Sequence, residues 1–212
     1  MPKNINQQAA EILLDLKCIN FSPKKQFKLT SGKKSPVYCD CRRIISFPNE
    51  RNKLIELGVE KLRKESNFNN ISNVAGGESA GIPFAALFAE KLSLPMTYIR
   101  KEKKKFGKNS QIEGIINKSD NVLLVEDLMT DGGSKLNFLE AIEKIGATIS
   151  GIFVIFNYGI INKQYIFKKK KIDVTYLTNW KFVLDVAFKR KILSFNEIRI
   201  IEDFLFNINV KN

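Results

Sequence analysis

The chain has 212 residues, a formal charge of +13 and 44% hydrophobic residues. That length and apolar content suit one filled domain and exclude wholesale disorder. Histidine is absent, which excludes Ser-His-Asp catalysis, imidazole acid–base chemistry and the usual zinc knuckles.

Residues 1–16 (MPKNINQQAAEILLDL) lack the basic segment and apolar core of a secretory signal. No apolar run reaches the length of a bilayer span, so the expectation is a cytoplasmic protein without a membrane partner. Cys18, Cys39 and Cys41 have neither redox nor zinc spacing and read as idle thiols. The positive balance points to nucleic acid or to an anionic small molecule. Abundant Lys, Asn, Ile and Phe along the whole chain make local clusters more telling than the total.

In chain order, residues 5–17 place Ile5, Ala9, Ile12, Leu13 and Leu16 on one helical face. A loop-and-strand region follows from Phe27 to Ile44, with turns at Ser31-Gly32 and Ser35-Pro36 and a short strand at Val37 to Cys41. Pro48 opens a second helix reaching about Lys64, with Leu54, Gly58 and Leu62 inward. Ile71 to Ala75 read as a buried strand closed by Gly76-Gly77-Glu78-Ser79, and the next helix has Ile82, Ala86, Ala89 and Leu92 in register. Pro95 to Ile99 form another strand.

Val122 to Lys135 (VLLVEDLMTDGGSK) is the stretch around which the chain is organised. Its apolar run predicts a strand buried on both faces of a parallel sheet. The following helix presents Leu136, Leu139, Ile142 and Ile145 and stops at Gly146. Ile149 to Phe156 and Asp173 to Leu177 are further strands, separated by a connector rich in lysine, Lys168 to Lys171. A capping box at Ser194 to Glu197 starts a terminal helix. Strands alternating with helices predict an α/β fold, a Rossmann-like parallel sheet flanked by helices. A single domain over 1–212 is expected, with an N-terminal helix and hood segment at 1–45, a core at about 48–180 and C-terminal helices at 181–212.

Two constellations carry chemistry. Glu126 and Asp127 end the central strand, where ligands sit in such sheets. Acceptor-only carboxylates suit ribose hydroxyls or a magnesium ion held partly by substrate oxygens, and equally suit capping the loop's own N–H groups. The loop after them, with Thr130, Asp131, Gly132, Gly133 and Ser134, opens a helix and aims N–H groups at a phosphate. The second is Arg100-Lys101-Glu102-Lys103-Lys104-Lys105, five cations in six residues leaving a strand at the same end. Such runs are usually solvated surface, but this one is positioned to fold over a diphosphate, with Gly107 and Gly114 as hinges.

The stretch VLLVEDLMTDGGSK resembles the phosphoribosyl diphosphate (PRPP) motif of type I phosphoribosyltransferases. FKLTSGKKSPVYCD resembles the hood segment, and YIRKEKKKFGKNSQIEG the mobile catalytic loop, of the orotate phosphoribosyltransferase family; with GGESAGIPFA these matches span about residues 20–160. The resemblance implies a magnesium-dependent homodimer that makes orotidine 5′-monophosphate and diphosphate from orotate and PRPP in pyrimidine synthesis. Loop 100–114 would reach the neighbouring active site. It implies that Leu128, Met129 and Thr130 to Ser134 bind PRPP, with Thr130 to Ser134 holding the 5′-phosphate and with Glu126 and Asp127 on the ribose hydroxyls and possible magnesium ligands. Arg100, Lys101 and Lys104 would meet the diphosphate, and Lys104, Lys101 and Asp127 would be catalytic. Orotate would be met by Thr130 and near Tyr38, Cys39 and Tyr158.

Four positions depart from the family pattern. Many members carry Lys where this chain has Thr30 and Ala80, His at Phe106, and an orotate-binding Arg at Tyr158. PRPP binding is therefore read more firmly than the base contacts. Two alternatives remain open: the same scaffold acting on another base, and a non-catalytic PRPP-sensing regulator that binds nucleic acid. Turnover with different bases separates the first, and a salt-dependent shift with duplex DNA the second.

Overall fold

The computed structural model describes residues 4–29, 32–102, 110–161 and 163–210. Thr30 and the loop residues Lys103, Lys104, Lys105, Phe106 and Gly107 lie outside them. In chain order the elements are α1 (Ile5–Asp15), β1 (Ile19–Phe21), β2 (Phe27–Lys28), β3 (Lys34–Ser35), β4 (Val37–Cys39), α2 (Pro48–Leu62), β5 (Asn73–Gly77), α3 (Gly81–Leu92), β6 (Met96–Ile99) and β7 (Ile112–Glu113). They continue with β8 (Asn121–Met129), α4 (Gly133–Ile145), β9 (Thr148–Asn157), β10 (Gln164–Phe167), β11 (Lys170–Asn179), α5 (Trp180–Lys189) and α6 (Phe195–Asn207). Among the described residues no helix is long and apolar enough to cross a membrane.

One seven-stranded sheet runs in the order β10-β11-β9-β8-β5-β6-β7. Its inner pairs are parallel, and the short edge strands β10 and β7 run antiparallel. The α/β fold read from the alternating elements is present, with the central strand buried on both faces. Leu123 and Val125 turn to the layer holding α1, α2, α3 and α5, whereas Val122 and Leu124 turn to the layer holding α4. This division is the period-2 alternation of a strand, expressed in a run with no polar residue to betray it. The N-terminal segment adds two antiparallel ribbons, β1 with β4 and β2 with β3, followed by a 3-10 turn at Cys41–Ser46.

Helix boundaries follow their local chemistry. Asn4 accepts the Asn6 N–H at the start of α1, Pro48 occupies the first turn of α2, and the Ser194–Glu197 capping box is formed. Two helix faces differ from expectation. Ala86 of α3 is exposed, because the buried face is set by Phe84, Ala85, Phe88 and Ala89, with the Phe88 ring 4.5 Å from that of Phe153. Two phenyl rings gain more from burial than the smaller side chains on the face first read as inward. Leu136 of α4 is likewise exposed, since Phe138, Leu139 and Ile142 cover the sheet. The lysine-rich connector is a hairpin turn: Lys168 and Lys169, at φ 45° and 68°, join β10 to β11, and Lys168 and Lys170 pair with Glu143. A strand at β10 went unread because its alternating pattern is only four residues long.

The end of β9 and the start of α5 meet in an aromatic cluster. Trp180 is fully buried, with its ring 5.0 Å from Phe156 and 5.2 Å from Tyr158, both edge-on. Its indole N–H has no hydrogen-bond partner among the described residues. Trp180→Ala should therefore lose about 3–5 kcal/mol in urea unfolding followed by circular dichroism. Trp180→Phe, which removes the unpaired N–H while keeping a ring, should lose less than half of that. Equal losses would show that the indole N–H makes a bond worth keeping.

Candidate active site

From β5 the chain passes through α3 to β6 on one side, then returns to place β8 on the other side of β5. That reversal opens a crevice beyond the carboxyl ends of β5 and β8. A cavity of about 510 Å3 occupies it, lined by the turn after β5 (Glu78, Ser79, Ala80), the end of β8 and its loop (Glu126, Asp127, Leu128, Thr130, Gly132, Ser134), Lys101, and residues of α4. A larger hollow of about 920 Å3 around Lys61, Lys163 and Tyr176 contains neither the acid pair nor the glycine loop.

Glu126 is 5% exposed and Asp127 7%. The backbone beneath Glu126 is glycine for a steric reason: a Cβ on Gly77 would lie 1.9 Å from Glu126 Oε1. Glu126 Oε2 accepts from Lys135 Nζ at 2.9 Å, and Lys135 Nζ also reaches Ser134 Oγ at 3.2 Å. Glu126 Oε1 has no partner among the described residues. Burial pushes the Glu126 carboxyl up to about 7, although the Lys135 ammonium pulls the other way. Burial also raises Asp127, against the pull of Lys135 and Arg42 and the Leu128 N–H bond to Oδ1.

The glycine loop is held from both ends. Gly132 has φ 79°, and a Cβ there would meet the Tyr165 ring at 2.5 Å, while the Tyr165 hydroxyl donates to the Gly132 carbonyl at 3.2 Å. Asp131 Oδ1 accepts from the Gly133 N–H at 3.0 Å, which shapes the turn into α4. The helix then begins at Gly133, so its N-terminal N–H groups and dipole face the loop.

The root of the basic loop is fixed by its backbone. The Lys101 N–H donates to Glu78 Oε2 at 2.8 Å, its carbonyl accepts from Asn137 Nδ2, and Asn137 Oδ1 accepts from Gln111. The Glu78–Ser79 peptide is cis. Lys101 thus lines the cavity, whereas Arg100 lies at the sheet edge, 3.8 Å from Glu113, and does not.

Of the residues singled out from sequence, Lys101, Glu126, Asp127, Leu128, Thr130, Gly132 and Ser134 line this one cavity. Met129 is buried beneath it. Lys104 lies outside the described residues. Tyr38 is 40% exposed beside Phe27, Cys39 lies 3.6 Å from Cys41 without a disulfide, and Tyr158 packs into the aromatic cluster; none of the three lines the cavity. Burial raises the Cys18 thiol to about 12, and the hydrogen bond with Cys39 followed by burial raises Cys41, which agrees with idle thiols.

Sequence reasoning gave no role to Lys135, Arg42, Glu78 or Asn137. Lys135 had a signal, a cation directly after a glycine loop. Arg42 had none, because it reaches the cavity only through the ribbon that carries it. For magnesium, no group of three candidate ligands lies together among the described residues, and Lys135 already occupies Glu126 Oε2. This donor set fits an ion that arrives on a diphosphate and takes one carboxylate oxygen, such as Asp127 Oδ2.

Residues 50–189 match the phosphoribosyl transferase domain family. The chain is 44% identical over 197 residues to the orotate phosphoribosyltransferase of Dinoroseobacter shibae, a match covering 92% of this chain and 87% of that protein. It is 43% identical to that of Cereibacter sphaeroides, over 97% and 89% of the two chains. Among solved structures, the orotate phosphoribosyltransferase of Aeropyrum pernix superposes with a TM-score of 0.69 at 26% identity, over 85% of this chain and 98% of that one. Leishmania donovani UMP synthase gives 0.79 at 24% identity over 96% of this chain, which spans 43% of that longer one.

The raised Glu126 carboxyl has a signed consequence for stability. Between its ordinary value near 4.5 and about 7 the folded state binds the proton more tightly than the unfolded state. The stabilising contribution is therefore complete below about pH 4.5 and is lost as pH rises through about 7. In urea unfolding, the stability of the wild type relative to Glu126→Gln should fall across pH 4.5–7 and level off above. A difference that stays flat over this range would mean that Glu126 is ionised throughout.

Proposed function

This chain belongs to the orotate phosphoribosyltransferase family, and we propose that it transfers the ribose 5-phosphate group of PRPP to orotate, giving orotidine 5′-monophosphate and diphosphate for UMP synthesis. The supporting observation is convergence: the acid pair, the glycine loop, the turn after β5 and Lys101 share one cavity at the switch point of the sheet.

The reaction displaces diphosphate from the anomeric carbon of ribose while a ring nitrogen of orotate attacks, through a transition state of oxocarbenium character. Ionised orotate is already a nucleophile, so a site without histidine suffices. The Thr130–Ser134 loop and the first turn of α4 receive the 5′-phosphate, helped by Lys135, whose ammonium Glu126 holds beside Ser134. Asp127 offers Oδ2 to the ribose hydroxyls. Lys101 meets the diphosphate from the wall built by Glu78 and Asn137. A magnesium ion arriving with PRPP would be held on the protein side by Asp127 and would supply positive charge against the leaving diphosphate.

Lys104 and Arg100 complete that neutralisation across a homodimer interface. In support, Arg100 sits at the sheet edge, away from its own cavity. Fixed charges in a site closed to water are usually the largest catalytic effect, and closure also protects the activated sugar from hydrolysis.

Mixing the protein with PRPP, magnesium and orotate should deplete orotate absorbance, whereas adenine, hypoxanthine or xanthine should not be consumed. Lys104→Ala should lower kcat by about 10²-fold or more, by the loss of one pre-organised donor. Asp127→Asn should weaken PRPP binding and turnover without altering the melting curve. Unchanged kinetics would reduce the acid pair to a structural cap.

A further inference from the structure

Orotate carries a carboxylate, and the cavity must supply it with a counter-charge. Tyr158, near the end of β9, cannot. Its ring is packed edge-on against Phe156 and Trp180, and burial holds its hydroxyl neutral. Three cations line the cavity among the described residues: Arg42, Lys101 and Lys135. Lys135 is committed to Glu126 and Ser134. Lys101 is fixed through its backbone on the diphosphate side, between Glu78 and Asn137.

Arg42 stands apart from both. It leaves the Cys41–Ser46 turn directly after β4, so it enters the cavity from the N-terminal ribbon that also bears Tyr38. That turn packs against β8, and the guanidinium feels both Tyr38 and Asp127. Its hydrogen bond among the described residues, Nε to Asp40 Oδ1 at 2.8 Å, orients the planar group and uses only one edge. The two terminal amino groups remain as donors, and the side chain is 60% exposed, open to a ligand. A guanidinium held in this way matches a carboxylate with two parallel hydrogen bonds, which an ammonium cannot copy.

We propose that Arg42 binds the carboxylate of the acceptor base, so that this chain selects orotate from the N-terminal ribbon rather than from the end of β9. The inference rests on the transferase reading given above. It gives the base specificity a location: a base lacking the carboxylate leaves a guanidinium unpaired, and such a site rejects that base more strongly than an apolar pocket rejects a missing methylene.

The test compares orotate with its uncharged methyl ester as an inhibitor, in the wild type, Arg42→Met and Arg42→Lys. Arg42→Met should raise the KM for orotate on the order of 10- to 100-fold. The inhibition constant of the ester and the KM for PRPP should each stay within about 3-fold of wild type, since neither ligand engages the guanidinium through a base carboxylate. Arg42→Lys should recover part of the loss. Should Arg42→Met prove insoluble, Arg42→Lys carries the test alone, with a KM for orotate raised several-fold and an unchanged ester constant. An unchanged ratio of orotate to ester affinity overturns the proposal, as does a rise in the KM for PRPP with that ratio intact, which would put Arg42 on the sugar phosphate. Wild-type protein that fails to consume orotate would overturn the transferase reading instead, and this proposal with it.

Discussion

A carboxylate buried at the end of a central strand is the constraint on which the rest of this site depends. Glu126 cannot stay there unless its surroundings answer it, because removing a charge from water costs several kcal/mol if nothing pairs with it. Lys135 supplies the answer from the first turn of α4, 2.9 Å away. For that ammonium to arrive, the chain must turn sharply after Met129, which needs a left-handed Gly132 and its support from Tyr165. For the carboxylate to fit, β5 must carry glycine at position 77. Two glycines far apart in sequence thus serve one ion pair.

The sheet topology does the remaining positioning. Because the chain reverses direction across β5, two strand ends and two turns face the same crevice, one turn preceding α3 and the other α4. The first turn holds the backbone of Lys101 through Glu78, and the second helix holds it through Asn137. A basic segment that leaves β6 is therefore anchored on both sides of the cavity before its side chains are considered. Electrostatics and architecture are coupled here: a net charge of +13 is spread along the chain, but among the described residues three cations, Arg42, Lys101 and Lys135, line the crevice.

Much of this was legible in the residues. The strand–turn–helix units, the parallel sheet, the acid pair and the glycine loop all follow from local patterns, since periodicity and turn chemistry act over a few residues. The helix faces of α3 and α4 were less legible. Ala86 and Leu136 fit an apolar stripe, yet the exposed sides are theirs, because the size and shape of Phe84, Phe88 and Phe138 decide which face fills the space against the sheet. The lysine run at 168–171 reads as a connector and contains a hairpin turn, with Lys168 and Lys170 answered by Glu143 of α4.

The sequence by itself determined the class of the fold and the chemistry of the phosphate-binding end, because a buried strand, two acids and a glycine loop stand side by side in the chain. Tertiary structure alone decided which cations meet them. Lys135 becomes a partner of Glu126 only when α4 folds back on β8, and Arg42 becomes a neighbour of Asp127 only when the N-terminal ribbon packs across the crevice. Coulomb attraction acts through space over a few ångströms, so its partners are chosen by packing rather than by separation along the chain.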